Sequence, residues 1–295
     1  MSVAATGFFD GVHRGHRSVV NEVIRLAKEK NLKSQIVTFW PHPRGVLQQE
    51  AYNLRLLTSL EEKKELFYSM GISEVTVLEF TKEFSRLTTE EFVKDYLIGR
   101  CGVKVLVVGY DHKIGCDVNE TQEQMIATCR RCGLEVVRVG EFDMDGIVVS
   151  STKIRRCLER GDVSQASSLL GYNYSLKGVV VSGNHLGRTI GFPTANLKLY
   201  DPLKLIPGGG VYAVEVLLRH ETYKGICNIG VRPTVSEGKV MTIETHILDF
   251  DEDIYGLDLG IRFISRIRDE VKFNSLEELK LQLEKDKESA NKIFC

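Results

Sequence analysis

Strand-like and helix-like runs alternate from Val3 to Leu170, and beyond Gly171-Tyr172 that alternation stops. Val3–Phe9 reads as a small apolar strand, and His16–Lys30 sets Val19, Val20, Val23, Ile24 and Ala27 at helical spacing. Gln35–Trp40, Glu74–Phe80, the Val-rich run Val103–Val108 and Leu134–Val139 are further strands. Ser59-Leu-Glu-Glu62 and Thr88-Thr-Glu-Glu91 are capping boxes, in which a hydroxyl and a carboxylate three residues apart each satisfy a free backbone N–H. A helix through Met125–Cys132 and helical pieces near Ser151–Leu158 and Val163–Leu170 complete the series. Such alternation predicts a parallel sheet with helices on both faces.

After residue 172 the runs Gly178–Ser182, Val211–Arg219, Tyr223–Gly230, Val240–Leu248 and Leu257–Ile267 are strand-like and joined by turns. One helix, Ser275–Lys287, opens at Ser275-Leu-Glu-Glu278. Strands in series predict an antiparallel sheet or a small barrel. The chain is therefore expected to hold two domains, 1–172 and 173–295, which suits its 295 residues.

Composition removes several alternatives. At 43% hydrophobic and 27% charged residues the chain is ordinary for a globular protein. Lys+Arg number 39 against 40 Asp+Glu, a net charge of −1, so a broad nucleic-acid-binding surface is not expected. No apolar run reaches the ~18 residues of a membrane span, and the first ten residues lack a signal peptide's basic lead-in. Seven scattered cysteines fit a reducing cytoplasm better than a disulfide framework. Cys129-Arg-Arg-Cys132 lies in a helical pattern without a second pair, so it reads as plain helix rather than half a zinc site.

Two stretches carry chemistry. Gly7-Phe-Phe-Asp-Gly-Val-His13-Arg-Gly-His16 joins the first strand to the first helix, at the carboxyl end of a parallel strand where ligands bind. Gly11 and Gly15 allow close backbone approach, and His16 is expected at the helix N-terminus, where free N–H groups attract phosphate. Two imidazoles there can donate to oxygens of a reacting phosphorus centre. An isolated HxxH is more often a surface turn or part of a metal site; here strand, glycines and helix agree on a phosphate site. Neither a P-loop GxxxxGK[ST] nor GxGxxG follows the strand. The second stretch, Ser182-Gly-Asn-His-Leu-Gly-Arg-Thr-Ile-Gly-Phe-Pro-Thr-Ala-Asn196, has a glycine-rich loop suited to an anion, then Thr194 and Asn196 on one face of an extended segment. Neutral oxygens of this kind suit Mg²⁺ when phosphates complete its shell.

HxGH in this place resembles the nucleotidylyltransferase superfamily, and Ser150-Ser-Thr-Lys-Ile-Arg155 looks like its second ATP motif. The loop ending in PTAN closely resembles the riboflavin kinase family. Gly210-Val-Tyr-Ala213, Asn228-Ile-Gly-Val-Arg-Pro-Thr234, Glu244-Thr-His-Ile-Leu-Asp-Phe250 and Ile267-Arg-Asp-Glu-Val-Lys-Phe273 match in order. In the first half Thr38-Phe-Trp-Pro-His-Pro43, Leu57-Thr-Ser-Leu-Glu-Glu-Lys63 and Gly109-Tyr-Asp-His-Lys-Ile-Gly115 match as well. Over essentially its whole length the chain is similar to the family of bacterial bifunctional riboflavin kinase/FMN adenylyltransferases. It departs at His112 and Ile114, where that family commonly carries Phe, and it begins at its first strand, short of the family's usual upstream residues.

The resemblance implies a Rossmann-like nucleotidylyltransferase domain followed by a small antiparallel riboflavin kinase barrel with a terminal helix. It implies Glu244 as the kinase base and His13 and His16 in adenylyl transfer. It implies ATP contacts from Gly7, Phe8, Phe9, Asp10, Gly11, Gly15, Asp111, Ser151, Thr152 and Arg155 in one domain. In the other it implies ATP contacts from Gly183, Gly187, Arg188, Gly191, Thr194 and Asn196, flavin contacts from Arg268 and Glu270, and Mg²⁺ held through ATP by Thr194 and Asn196. The partners implied are riboflavin, FMN, FAD and ATP, with no nucleic acid and no membrane; self-association is left open. Two other readings predict different features. A class I tRNA synthetase relative would need a tRNA-binding domain and KMSKS, which the chain lacks, and a non-catalytic flavin-binding module would not need both HxGH and Glu244.

Overall fold

The computed structural model describes residues 1–47, 54–110, 112–116, 119–144, 147–183, 187, 190–233 and 239–294. The chain separates into two compact units, Met1–Ser151 and Thr152–Cys295. The division falls ahead of the expected position at 172, so the helices Ser151–Glu159 (α6) and Val163–Leu170 (α7) group with the barrel unit, apart from Ser151 itself.

In the first unit β1 (Ser2–Thr6), β2 (Lys33–Trp40), β3 (Glu74–Glu79), β4 (Val103–Val108) and β5 (Glu135–Arg138) form a sheet ordered β3-β2-β1-β4-β5. All four pairings are parallel. Side chains alternate in facing, so Val3, Ala5, Val105 and Val107 join one core and Ala4, Leu106 and Val108 another. The first core is closed by α1 (Arg14–Glu29) through Val19, Val20 and Val23 and by α3 (Leu60–Ser69) through Phe67. The second is closed by Phe92, Val93 and Leu97, and by Met125 and Cys129 of α5 (Gln122–Arg131). A short α2 (Pro43–Leu47) follows β2. The capping boxes at Ser59 and Thr88 form as expected, and Thr121 with Gln124 adds one that sequence reading passed over. The helix begun at Thr88 (α4, Thr89–Glu91) continues as a π-helix, Phe92–Arg100. A two-stranded hairpin, β6 (Asp143–Met144) and β7 (Ile147–Val148), was also not expected.

Strand order reverses about β1: the chain runs outward through β2 and β3, then returns to β4 on the other side. That places a switch point beyond the carboxyl ends of β1 and β4, where the β1–α1 turn lies.

The second unit is a closed antiparallel barrel ordered β10-β11-β12-β9-β8-β13. Its strands are β8 (Ser175–Val181), β9 (Ala195–Leu199), β10 (Gly210–Leu218), β11 (Glu221–Pro233), β12 (Lys239–Ile247) and β13 (Asp258–Arg268). Strand β9 is the one sequence reading missed; it meets β12 through only two residue pairs. The terminal helix α8 (Leu276–Ile293) sets Ala290 and Phe294 against Val211, Ala213 and Ile226. Its cap is half a box, because Glu278 reaches the N–H of Asn274 rather than that of Ser275.

Candidate active sites

The β1–α1 turn is held in an unusual conformation. Phe9 and Val12 have φ of 49° and 36°, and Gly11 has φ of 83°. Left-handed backbone at a β-branched residue costs on the order of 1–3 kcal/mol and persists only where surroundings over-determine it. The surroundings are Leu57–Lys63. Asp10, 4% exposed, accepts the N–H groups of Leu57 and Thr58 at 3.0 and 3.1 Å. The Thr58 hydroxyl oxygen accepts the Gly11 N–H at 3.0 Å, and the Lys63 ammonium donates to the Phe8 carbonyl at 2.7 Å.

Helix α1 starts two residues ahead of His16, and its N-cap is His13, whose Nδ1 accepts the His16 N–H at 3.3 Å. An accepting Nδ1 puts the proton of neutral His13 on Nε2, which is then a donor. The two rings stack with centroids 3.6 Å apart. Burial, and then the neighbouring His13, Lys63 and His112, hold His16 well below the ordinary imidazole pKa. Its Nδ1 is buried with no hydrogen-bond partner among the described residues. Gly15 lies beside His13, and Phe8 packs its ring on His42 at 3.9 Å. The Ser151 hydroxyl donates to the Asp10 carbonyl at 2.9 Å. Thr152 and Arg155 stand on α6, beyond the division between the units, and Asp111 lies outside the described residues.

The same unit holds an aromatic cavity of about 260 Å³ lined by Thr6, Phe39, Phe80, Phe84, Phe92, His112 and Ile114. Thr6 ends β1 and Phe39 is the penultimate residue of β2, so this cavity opens at the carboxyl edge of the sheet, as the turn does.

In the barrel three of the expected residues, Asn196, Glu244 and Arg268, fall in a row set by strand register. Asn196 of β9 pairs with Glu244 of β12, Glu244 with Asn228 of β11, Asn228 with Val211 of β10, and Val211 with Arg268 of β13. Residues opposite one another share a face, and all five line one cavity of about 390 Å³, with Thr194, Gly187, His246 and Glu270. A Cβ at Gly183 would meet the side-chain amide of Asn196, which lies against it. The Gly187 carbonyl accepts the N–H of Phe192 at 2.8 Å, and Gly191 has φ of 84°. A second cavity, about 270 Å³, shares Thr194 and is lined further by Val180, Ala195, Ile254 and Tyr255. Arg188 lies outside the described residues.

Arg268 turns its guanidinium onto Asp286 of α8, with Nε and Nη2 at 2.9 and 2.7 Å from the two carboxylate oxygens. Sequence reading assigned no role to Asp286, Asn228 or His246, although all three line the cavity. The His246 ring nitrogen Nδ1 lies 2.8 Å from the Pro193 carbonyl, tying β12 to the segment that carries Thr194.

Among the described residues there is no cluster of His, Cys, Asp or Glu fit to hold a metal ion by itself, and no helix long and apolar enough to cross a membrane. The six described cysteines are free thiols.

Comparison with known proteins matches the two parts of the chain to different families. The FAD synthetase family model matches residues 1–153, and the riboflavin kinase model matches 170–294. A bifunctional riboflavin kinase/FMN adenylyltransferase of Listeria monocytogenes is 39% identical over 293 residues, covering 99% of this chain and 92% of the relative. The Escherichia coli K12 protein of the same name is 36% identical over 293 residues, covering 99% of this chain and 92% of its own. A crystal structure described as a macrolide-efflux protein from Streptococcus pneumoniae superposes with a TM-score of 0.91 at 32% identity, covering 98% of this chain and 94% of that one.

Proposed function

The chain belongs to the bifunctional riboflavin kinase/FMN adenylyltransferases, which make FMN from riboflavin and ATP and then join AMP to FMN, giving FAD and pyrophosphate; from that premise we propose how its residues divide the two reactions. The observation that carries the kinase assignment is the row Asn196–Glu244–Asn228 across the barrel, facing the cavity of about 390 Å³. Riboflavin occupies that cavity with its 5′-hydroxyl at Glu244, and ATP occupies the neighbouring cavity that shares Thr194. The hydroxyl oxygen attacks the γ-phosphorus, the bond to the bridging oxygen breaks, ADP leaves, and the proton passes to the Glu244 carboxylate. The neutral oxygens of Thr194 and Asn196 fit Mg²⁺ whose remaining ligands are phosphate oxygens and water. When bound there, Mg²⁺ supplies charge neutralisation on the transferring phosphoryl group. Arg268, engaged by Asp286, shapes the flavin side of the cavity rather than offering a free cation, and Glu270 borders it beside Gly230.

Adenylyl transfer is placed at the β1–α1 turn. A phosphate monoester is already largely ionised at pH 7, since its second pKa is about 6. FMN therefore needs no base to attack the α-phosphorus of ATP, and Asp10 is not positioned as one. The need is for donors to the charge that builds before pyrophosphate leaves, and the stacked His13 and His16 supply them. The aromatic cavity, with its Phe39, Phe80 and Phe84 rings, takes the flavin. The free thiols suit a reducing cytosol, the compartment proposed for both reactions.

Riboflavin incubated with Mg-ATP and the pure protein, with products separated by chromatography, tests the reading. FMN should appear first and FAD after it, with ADP and pyrophosphate formed in step. FMN without FAD at saturating ATP would remove the adenylyl-transfer assignment, and neither product would remove both.

A further inference from the structure

Lys63 has no part in the chemistry described so far, yet it is 1% exposed. Lysine is almost never buried to that degree without a reason, because its ammonium loses its hydration. On α3 it shares the inward face with Phe67, four residues on. Its one hydrogen bond among the described residues goes to the Phe8 carbonyl, at 2.7 Å, and its Nζ lies 4.1 Å from the centre of the Phe8 ring. Phe8 stands in the turn between Gly7 and the left-handed Phe9, ahead of both histidines. The turn is thus gripped from α3 and its lead-in at three points: Lys63 on Phe8, Leu57 and Thr58 on Asp10, and Thr58 on Gly11. Only the Lys63 grip carries a positive charge.

We propose that Lys63 is a positioning residue for adenylyl transfer, its ammonium fixing the Phe8 carbonyl so that the β1–α1 turn and the stacked histidines are set before the nucleotide arrives. The proposal rests on the placement of that reaction at this turn. A charge-assisted hydrogen bond is roughly twice as strong as a neutral one, so the grip depends on the amine being protonated. Burial brings Lys63 down to about 8, opposed by the Asp10 carboxylate. The charged and titratable groups it feels are Asp10 from the turn and His16 from α1. The sign follows from these: the grip is present below about pH 8 and weakens as pH rises through that value.

The test is the pH profile of kcat/KM for FMN-to-FAD conversion by the full chain, which reports ionisations of the free enzyme. Wild type should fall above about pH 8. Lys63→Met should be roughly 10- to 100-fold slower below that pH, the scale of a misplaced catalytic group, and should lose the alkaline fall. Lys63→Arg keeps its charge throughout the accessible range, so it should stay active with the fall absent. An alkaline fall that persists unchanged in either variant overturns the proposal, as does a Lys63→Met rate within threefold of wild type. Lys63→Arg decides the matter if Lys63→Met fails to fold. His16→Ala is run beside them: if it keeps wild-type FAD synthesis, the placement of adenylyl transfer has failed, whereas its loss with Lys63→Met unimpaired overturns the Lys63 role alone.

Discussion

A carboxylate's role depends on what surrounds it. Asp10 and Glu244 are both acids in the motifs of a phosphoryl-handling chain. Asp10 is sealed at 4% exposure against the amides of Leu57 and Thr58, and so organises a turn. Glu244 is half-buried, pairs in register with Asn196 and lines the cavity of about 390 Å³, which is the setting of the base role proposed for it. Glu244→Gln keeps shape and removes the proton acceptor. It should lower riboflavin phosphorylation by about 10²–10⁴, the usual loss on removing a general base, while FMN supplied from outside is still converted to FAD. Normal kinase turnover in that variant would end the assignment of Glu244. His13→Ala and His16→Ala should show the converse. Removing one preorganised donor costs about 10²–10³ in FAD formation, with riboflavin phosphorylation continuing. Paired assays on one preparation separate these outcomes from general misfolding, which would depress both activities together.

Elements read well from sequence where their signals are local. The capping boxes at Ser59 and Thr88, the run Val103–Val108 and the helix Val163–Leu170 stand where spacing puts them, because each depends on neighbours within four residues. What failed to show depends on distant partners. Strand β9 pairs through four residues with β8, about twenty positions back, and through two with β12, some fifty positions on, and the π-helix after Glu91 continues a start that reads as ordinary α-helix. The motif residues were legible one by one, but the row from Asn196 to Arg268 is a product of register. Lys63 lay within a quoted motif and carried a signal that went unused: on α3 it falls four residues before Phe67, on the apolar face. Asp286 gave none, since it lies on α8 and its partner on β13. That pair fastens α8 to the barrel beside the cavity of about 390 Å³, with Asp286 1% exposed. Asp286→Asn keeps the volume and removes the charge that holds Arg268. It should cost about 1–3 kcal/mol of stability and raise the KM for riboflavin more than that for ATP. Thermal melting and steady-state kinetics check it, and an unchanged riboflavin KM would leave the pair a purely structural fastening.

At the scale of the molecule, the two groups of expected site residues fall in different compact units except for Thr152 and Arg155, and the helices before the barrel decide where a separable kinase begins. The riboflavin kinase family model begins at residue 170, yet α6 and α7 are fastened to the barrel. The Leu158 carbonyl accepts the N–H of Gly208 at 2.8 Å, and the Arg160 carbonyl accepts from Arg266 at 3.0 Å. Helix α7 packs on β13, with Val163, Leu169 and Leu170 buried. Each such side chain contributes about 1.5–3 kcal/mol when fully buried, a large share of the roughly 5–15 kcal/mol by which a domain is stable. A fragment from Thr152 to Cys295 should therefore fold, phosphorylate riboflavin and make no FAD. A fragment starting at Asn173 should melt at a clearly lower temperature, because β13 loses the cover of α7 while the cavity row stays intact. Its riboflavin KM should match the longer fragment's wherever it remains folded. Equal melting temperatures would show that α6 and α7 add nothing to the barrel. FAD from either fragment would show that the histidine turn is not where adenylyl transfer happens.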